Sequence, residues 1–245
     1  MKRTERKHLK ENELQTFARE ARERLEGRRR ETTAIVAVVA VLGVIAIGYF
    51  LWRDRVQTRA HALLADAMAV QTARVGPPPA AGTLAANQGG LSFATDRERA
   101  QAALTKFKVA ADAYPSTDAG LYARYQQAAS YMTLGQPKEA ATTYQEVVDR
   151  AGSSNIYGQM ARLGVAEAQV RSGQFDQAIN TFRELSLRKD GPLPVDGILM
   201  QLGRAYLDAG KRAEAQQTFN RLVDEFPDSP FSADARRELD NLKKT

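Results

Sequence analysis

The 245-residue chain contains no cysteine and only two histidines, His8 and His61. The absence of cysteine excludes disulfides, thiolate zinc sites, cysteine nucleophiles and a lipid-modified N-terminal cysteine. Two histidines provide little for a metal centre or a catalytic triad, and Gly89-Gly90 lacks the strand–turn–helix context of a phosphate loop. The carboxylate pairs Asp224-Glu225 and Glu238/Asp240 are expected on exposed helix faces. The sequence therefore predicts a protein that is not an enzyme and that uses no cofactor, no metal and no small-molecule substrate.

The net charge of +6 is concentrated near the N-terminus. Residues 1–31 hold 11 Lys/Arg against 7 Asp/Glu, whereas residues 53–245 hold 24 against 22. The interleaved glutamates weaken the positive field that binding to nucleic acid requires. We therefore interpret the basic segment as a membrane-topology signal and expect no nucleic-acid partner.

Charge is missing altogether from Ala34–Trp52, a run of 19 residues. At about 1.5 Å per residue a helix of this length extends roughly 29 Å, close to the roughly 30 Å hydrocarbon core of a bilayer. A buried core helix is the alternative, but such helices seldom lack a polar face for five turns. Tyr49 and Trp52 stand where aromatic rings favour the membrane interface. We therefore predict a single transmembrane helix at residues 32–52.

The basic residues on either side of this helix predict its orientation. Residues 16–31 carry six arginines and residues 53–72 carry three. By the positive-inside rule, the basic segment 1–31 is expected in the cytoplasm and residues 53–245 across the membrane. A cleaved signal peptide is disfavoured by the long charged segment and the long apolar run. The weak helical pattern within residues 1–31 fits either a helix lying on the inner leaflet or a solvated tail.

A repeat occupies the remainder of the chain. In each of four copies a small residue is followed four positions later by an aromatic residue and three positions after that by an apolar residue. The copies are Ala103-Phe107-Ala110, Ala140-Tyr144-Val147, Ala178-Phe182-Leu185 and Ala215-Phe219-Leu222. The small residues are 37, 38 and 37 positions apart. Such a period predicts helix pairs that bury their apolar faces only by stacking on one another.

The last copy is the most complete, with Leu202-Gly203, Tyr206, Gly210 and a closing Pro227 around its core triplet. It resembles the tetratricopeptide repeat (TPR), whose unit has the pattern L-G-x2-Y…A-x3-F…P. Copies two and three differ from this pattern at the closing proline. The resemblance implies an all-α fold: one transmembrane helix followed by a TPR-type α-solenoid of about four helix pairs and a C-terminal capping helix.

The repeat pattern also predicts the organisation of residues 53–245. Thr95 and Glu98 form a capping-box pattern that predicts a helix start near Asp96. The predicted segments are a first repeat at 56–115 interrupted by a Pro/Gly loop at 76–94, repeats at about 119–150, 156–188 and 195–227, and a cap at 230–243.

Three phrases favour one group of TPR proteins: Trp52 with the charged helix to Arg74, Met160–Ala166, and Gly173–Ala178. Across residues 34–190 the chain resembles the YfgM-like ancillary SecYEG translocon subunit family. That resemblance implies a bacterial inner-membrane protein whose periplasmic TPR domain associates with translocon subunits and periplasmic chaperones. The phrase Phe226–Pro230 is instead similar to the repeats of envelope-assembly and cell-division TPR proteins, which we keep as the alternative.

The first helices of successive TPR pairs commonly line a peptide-binding groove. Placing each residue within the repeat predicts the groove-lining side chains, with an arginine at the rim. They are Tyr122, Tyr125, Met132, Met160, Leu163, Met200 and Arg204. The alternative for each is a core or plain solvent-facing position, because a register error of two residues moves the prediction to another helix face.

Overall fold

The computed structural model describes residues 29–76, 91–152, 155–188 and 191–244. The basic segment up to residue 28 and most of the predicted loop lie outside these ranges. The chain divides into two units, Met1–Val56 and Gln57–Thr245. The described residues form nine α-helices and one short pair of strands.

Helix α1 is Arg29–Gln71, and its apolar part belongs to the first unit. It is long and apolar enough to cross a membrane, with a mean hydropathy of 2.8 in its most apolar 18 residues. None of these 18 residues is buried, and large side chains such as Ile35, Phe50 and Trp52 are 61–73% exposed. A helix that is apolar on all sides is typical of a membrane span or of a fully buried core helix.

The second unit begins with the last turns of α1 and continues through eight further helices. They are α2 Asp96–Ala113, α3 Asp118–Thr133, α4 Pro137–Ala151, α5 Ile156–Arg171, α6 Phe175–Ser186, α7 Val195–Asp208, α8 Arg212–Glu225 and α9 Ser232–Lys244. Together they form the predicted TPR-like solenoid.

Two short strands lie between α1 and α2. β1, Arg74–Val75, pairs in parallel with β2, Ser92–Phe93. Phe93 packs on the core formed by α1 and α2. The sequence predicts a single loop at residues 76–94, and this is wrong for residues 92–93, which form β2. The sequence could not predict this strand, because two residues are too few to show the alternation of apolar and polar residues that marks a strand.

Helix α2 begins at Asp96, as the capping-box pattern predicts. The Thr95 side chain accepts a hydrogen bond from the Glu98 amide at 3.2 Å, and the Glu98 carboxylate accepts one from the Ala94 amide. In the standard capping box this second bond comes from the cap residue itself. The first bond satisfies an amide of the first helical turn, which has no intrahelical partner, and the second satisfies the amide of the residue that precedes the cap.

The repeat register is confirmed by burial. The four aromatic side chains Phe107, Tyr144, Phe182 and Phe219 are 0–4% exposed, and the four alanines preceding them are 0–2% exposed. Gly135, Gly173 and Gly210 have φ between 73° and 76° and end α3, α5 and α7. An L-residue rarely adopts this backbone conformation, which explains the glycine in copies two to four.

Two other glycines have a packing role that the sequence did not predict. Gly203 of α7 lies under the ring of Phe219, and a Cβ there would be only 2.3 Å from that ring. Gly164 of α5 packs against the ring of Tyr144, where a Cβ would be 2.7 Å away. The Leu-Gly pairs at 163–164 and 202–203 are therefore places where a helix backbone meets an aromatic ring, which belongs to the preceding repeat for Gly164 and to the same repeat for Gly203.

Candidate partner-binding face

The first helices of successive pairs, α3, α5 and α7, carry the seven predicted groove residues. We call their shared surface the A-helix face. Its described side chains form two features: a group of tyrosines at α3–α5 and a cleft at α5–α7.

Four tyrosines, which we call the tyrosine cluster, connect α3, α4 and α5. Tyr122 and Tyr125 of α3 stack with ring centroids 6.4 Å apart and an interplanar angle of 13°. Tyr122 also contacts Tyr157 of α5 at 5.8 Å, and Tyr125 contacts Tyr144 of α4 at 5.2 Å. Tyr144 is buried, whereas the other three rings are half-buried and retain accessible surface. Such rings can bind a partner with little loss of side-chain entropy.

A hydrogen bond orients part of the cluster. The Gln126 amide nitrogen donates to the Tyr122 hydroxyl at 2.6 Å, and the hydroxyls of Tyr125 and Tyr144 are near enough to influence each other's pKa. Burial raises the pKa of both Tyr125 and Tyr144. The two phenols therefore stay neutral at physiological pH.

A cleft of about 230 Å³ lies between α5 and α7. Its charged lining residues are Glu167, Arg171, Arg204 and Asp208. Burial raises the pKa of the Glu167 carboxyl, while the nearby charge of Arg171 acts in the opposite direction. The Glu167 charge also acts on the hydroxyls of the tyrosine cluster, so Glu167 connects the two features electrostatically.

The structure separates the predicted groove residues into different environments. Tyr125 and Met132 pack against one core cluster, and Leu163 packs against the next one. Met160 is half-buried and Arg204 is exposed. A sixth predicted groove residue, Tyr122, lies in the tyrosine cluster.

Met200 has a different position. Its side chain is 2% exposed and lies in the core cluster that includes residues of α7, α8 and α9. The expectation that Met200 lines a groove is corrected, because the packing of α8 and α9 on α7 leaves it no surface. The repeat pattern placed Met200 on the correct helix, but it did not show which side of that helix α8 and α9 cover.

Three residues of the A-helix face were missed: Tyr157, Glu167 and Arg171. A signal was present, because they share a helical spacing with Met160 and Leu163 along α5. Charged residues such as Glu167 and Arg171 are commonly placed on solvated faces, so the sequence pattern alone did not predict them here.

Arg204 lines the cleft and also lies near two carboxylates of α9. Its guanidinium lies 3.9 Å from an Asp234 carboxylate oxygen and 4.0 Å from a Glu238 oxygen. Arg171 instead directs one guanidinium nitrogen to the Met132 carbonyl, at 3.4 Å.

Comparison with known structures supports the repeat architecture. The chain is similar to the nearly identical TPR-like repeats of a Podosopora anserina protein described as a kinesin light chain. The identity is 17%, the TM-score is 0.53, and the match covers 60% of this chain and 79% of that one. A variant of that protein, at 18% identity, also gives a TM-score of 0.53 and covers 60% and 78% of the two chains. At this identity the likeness concerns the fold alone.

A comparison with curated proteins gives no match. The family model for the tetratricopeptide repeat-like domain matches residues 29–243, which include α1 and all eight helices of the second unit. TPR-type repeats generally mediate protein–protein interactions. The chain therefore belongs to the tetratricopeptide repeat-like domain family.

Proposed function

We propose that the chain is a single-pass protein of the bacterial inner membrane whose periplasmic TPR domain is a scaffold for protein partners. Residues 1–31 are cytoplasmic in this proposal, residues 32–52 cross the membrane, and residues 53–245 form the periplasmic part. The observation that carries the proposal is the half-buried tyrosine cluster beside a cleft on the A-helix face of a TPR domain.

Protein binding is supported by the chemistry of this face. TPR arrays bind extended or helical segments along their first helices. Tyrosine has a rigid apolar ring and a polar tip, which suits a surface that is wet when free and covered when bound. Met160 lies among these residues with a flexible, polarisable side chain that adapts to different partners.

Membrane anchoring is supported by α1 and by the charges on either side of it. Exposing apolar side chains all round a helix is unfavourable in water, by roughly 25 cal/mol per Å² of apolar surface. Hydrocarbon removes that cost, and the arginine excess on the N-terminal side favours a cytoplasmic N-terminus.

The resemblance stated above supports translocon subunits and periplasmic chaperones as partners in protein export. The alternative is a scaffold of cell-envelope assembly or cell division, which the phrase Phe226–Pro230 favours. In the structure this phrase joins α8 to α9, and the Ser229 hydroxyl there donates to an Asp196 carboxylate oxygen at 2.6 Å.

Protease accessibility tests the topology. Full-length protein with an N-terminal epitope tag is produced in cells, which are then converted to spheroplasts and treated with protease. We expect digestion of residues 53–245 and survival of the tag in a short membrane-bound fragment. Protection of the TPR domain until the membrane is lysed would contradict the proposed orientation.

Photo-crosslinking tests the binding face. A photoreactive amino acid is placed at Met160 on the A-helix face and, as a matched control, at Thr142, an exposed position of α4. We expect translocon subunits and chaperones to be captured from intact membranes at position 160 and not at position 142. Recovery of division or outer-membrane assembly proteins at position 160 would favour the alternative, and equal capture at both positions would contradict the face.

A further inference from the structure

The Glu167 carboxylate is an unusual group on the A-helix face. It is half-buried, and burial is the largest influence on its pKa. Within the part of the chain that the structure describes, Glu167 has no salt bridge, although the charge of Arg171 acts on it electrostatically. A partly desolvated carboxylate without a salt-bridge partner carries an unfavourable charge, which an incoming cation would compensate.

The charge around the cleft is negative. Two of the lining residues, Glu167 and Asp208, are acidic and two, Arg171 and Arg204, are basic. Arg204 is shared with Asp234 and Glu238, and Asp234 also pairs with Arg237, so these groups bring the neighbourhood to a net charge of −1.

The two arginines are already engaged. Arg171 donates to the Met132 carbonyl, and Arg204 lies between the cleft and two carboxylates of α9. The charge of Arg204 is therefore partly balanced by α9, and one donor of Arg171 is already used. Because the neighbourhood keeps a net negative charge, charge complementarity favours a cationic occupant.

The size of the cleft limits that occupant. About 230 Å³ is below the roughly 300–1,000 Å³ typical of sites that enclose a small molecule, but it can accept part of one side chain. A lysine or arginine has an apolar stem and a charged end. The stem would lie along Val170 and Ala205, which line the cleft, and the charged end would reach Glu167.

We infer that the cleft receives a lysine or arginine side chain from a segment of the protein partner, with apolar residues of that segment resting on the tyrosine cluster. This inference depends on the proposed function, because it names the chemistry of the segment that the A-helix face binds. Tyrosine faces attract cations as well as apolar groups, so a second basic residue in the segment would also be accepted there.

The test uses the full-length chain in detergent micelles and an array of immobilised 13-residue peptides of random apolar and polar sequence. The peptides come in triplets that differ only in a central lysine, glutamine or glutamate. Peptides that bind are resynthesised with a fluorophore, and their Kd values are measured by fluorescence anisotropy. We expect the lysine member to bind about tenfold more tightly than the glutamine member, as for a hydrogen bond to a charged group.

Glu167→Gln should remove this preference, so that the lysine and glutamine members bind with similar Kd values. The matched control is Glu184→Gln on α6, whose carboxylate is 64% exposed and binds Arg162 at 3.1 Å. It makes the same charge change away from the cleft lining and should leave the preference intact. Arg204→Gln should tighten lysine binding, because it removes a competing cation from the cleft.

The outcomes separate the inference from the proposal on which it depends. If triplet members bind equally well, or if the glutamate member binds best and Arg204→Gln weakens it, the inference is wrong and the binding face stands. If no peptide binds and the Met160 crosslinker captures nothing, the proposed function fails. Loss of the preference in both Glu167→Gln and Glu184→Gln would show a general charge effect and would also overturn the inference.

Discussion

Single residues on α7 show how closely the repeat is packed. Gly203 has no room for a side chain, since a Cβ would come within 2.3–2.7 Å of three atoms of the Phe219 ring. Phe219 itself is fully buried, so its ring cannot move aside into solvent. Gly197 lies on the same helix, but its nearest neighbour is the half-exposed Phe231, at 3.3 Å.

Gly203→Ala should therefore destabilise the TPR domain even though alanine favours helices by roughly 1 kcal/mol. Overpacking typically costs about 1–3 kcal/mol, and a contact of 2.3 Å against a buried ring belongs at the upper end. Gly197→Ala is the matched control and should be neutral or slightly stabilising. Urea denaturation followed by circular dichroism measures both, and equal stability of the two variants would contradict the close contact.

Glu167 makes stability depend on pH. Its pKa in the folded protein is raised above the ordinary value of 4.5, chiefly by burial, so the folded state holds this proton more tightly than the unfolded state. The destabilisation by the buried charge is thus present above the folded pKa and is relieved as the pH falls through it toward 4.5.

Glu167→Gln should consequently raise the melting temperature at pH 7, and the gain should shrink as the pH is lowered toward 4.5. Thermal melts of the two proteins across this range measure the difference. Glu184→Gln, at an exposed position, should show a much smaller difference at every pH. A gain that grew on acidification would contradict the direction of the pKa shift.

At the scale of helices, Arg124 of α3 connects two neighbours. Its side chain is largely buried and places one nitrogen 2.6 Å from the Asp112 carboxylate of α2 and another 3.5 Å from the Glu146 carboxylate of α4. It also donates to Gln127 at 3.0 Å. A planar guanidinium suits such a multiple contact, which a lysine cannot reproduce.

Arg124→Met should lower stability by about 1–2 kcal/mol, less than a fully buried pair, because Asp112 and Glu146 are half-exposed and water can solvate them. Arg162→Met is the comparison, since its single bond to the exposed Glu184 should contribute below about 1 kcal/mol. The denaturant concentrations at the midpoint of unfolding of the two variants measure this difference in stability. A larger loss at Arg162 would contradict the bridging role of Arg124.

At the scale of the whole TPR domain, α9 covers the end of the array. Ala235 and Leu239 pack with Leu199 and Leu222 in one core cluster, while the opposite side of α9 carries charge. A solenoid end without such a helix would expose apolar surface, so terminal repeats need a polar outer face.

Truncation after Asp228 should therefore lower the melting temperature and cause association of the TPR domain. Size-exclusion chromatography measures the second effect, with a chain truncated after Lys243, which retains Ala235, Leu239 and Leu242, as the control. A monomeric and equally stable truncated chain would show that α9 is dispensable.

The sequence by itself determined the repeat and the all-α fold. Ala103, Phe107 and their counterparts recur at a period that only stacked helix pairs satisfy, and Gly135 and its counterparts mark where a left-handed cap is needed. The apolar run of α1 is equally local, because hydropathy over consecutive residues needs no knowledge of neighbours.

Only the tertiary structure decided which side of each helix is covered. Met200 is buried because α8 and α9 pack on it. Tyr157 contacts Tyr122 because the helix pairs that contain them stack on each other. Glu167 is desolvated because the folded chain buries part of its side chain. A period assigns residues to a helix, but burial and charge compensation arise from groups far apart in sequence. For the same reason the A-helix face could be anticipated in outline, whereas its cleft and unpaired carboxylate could not.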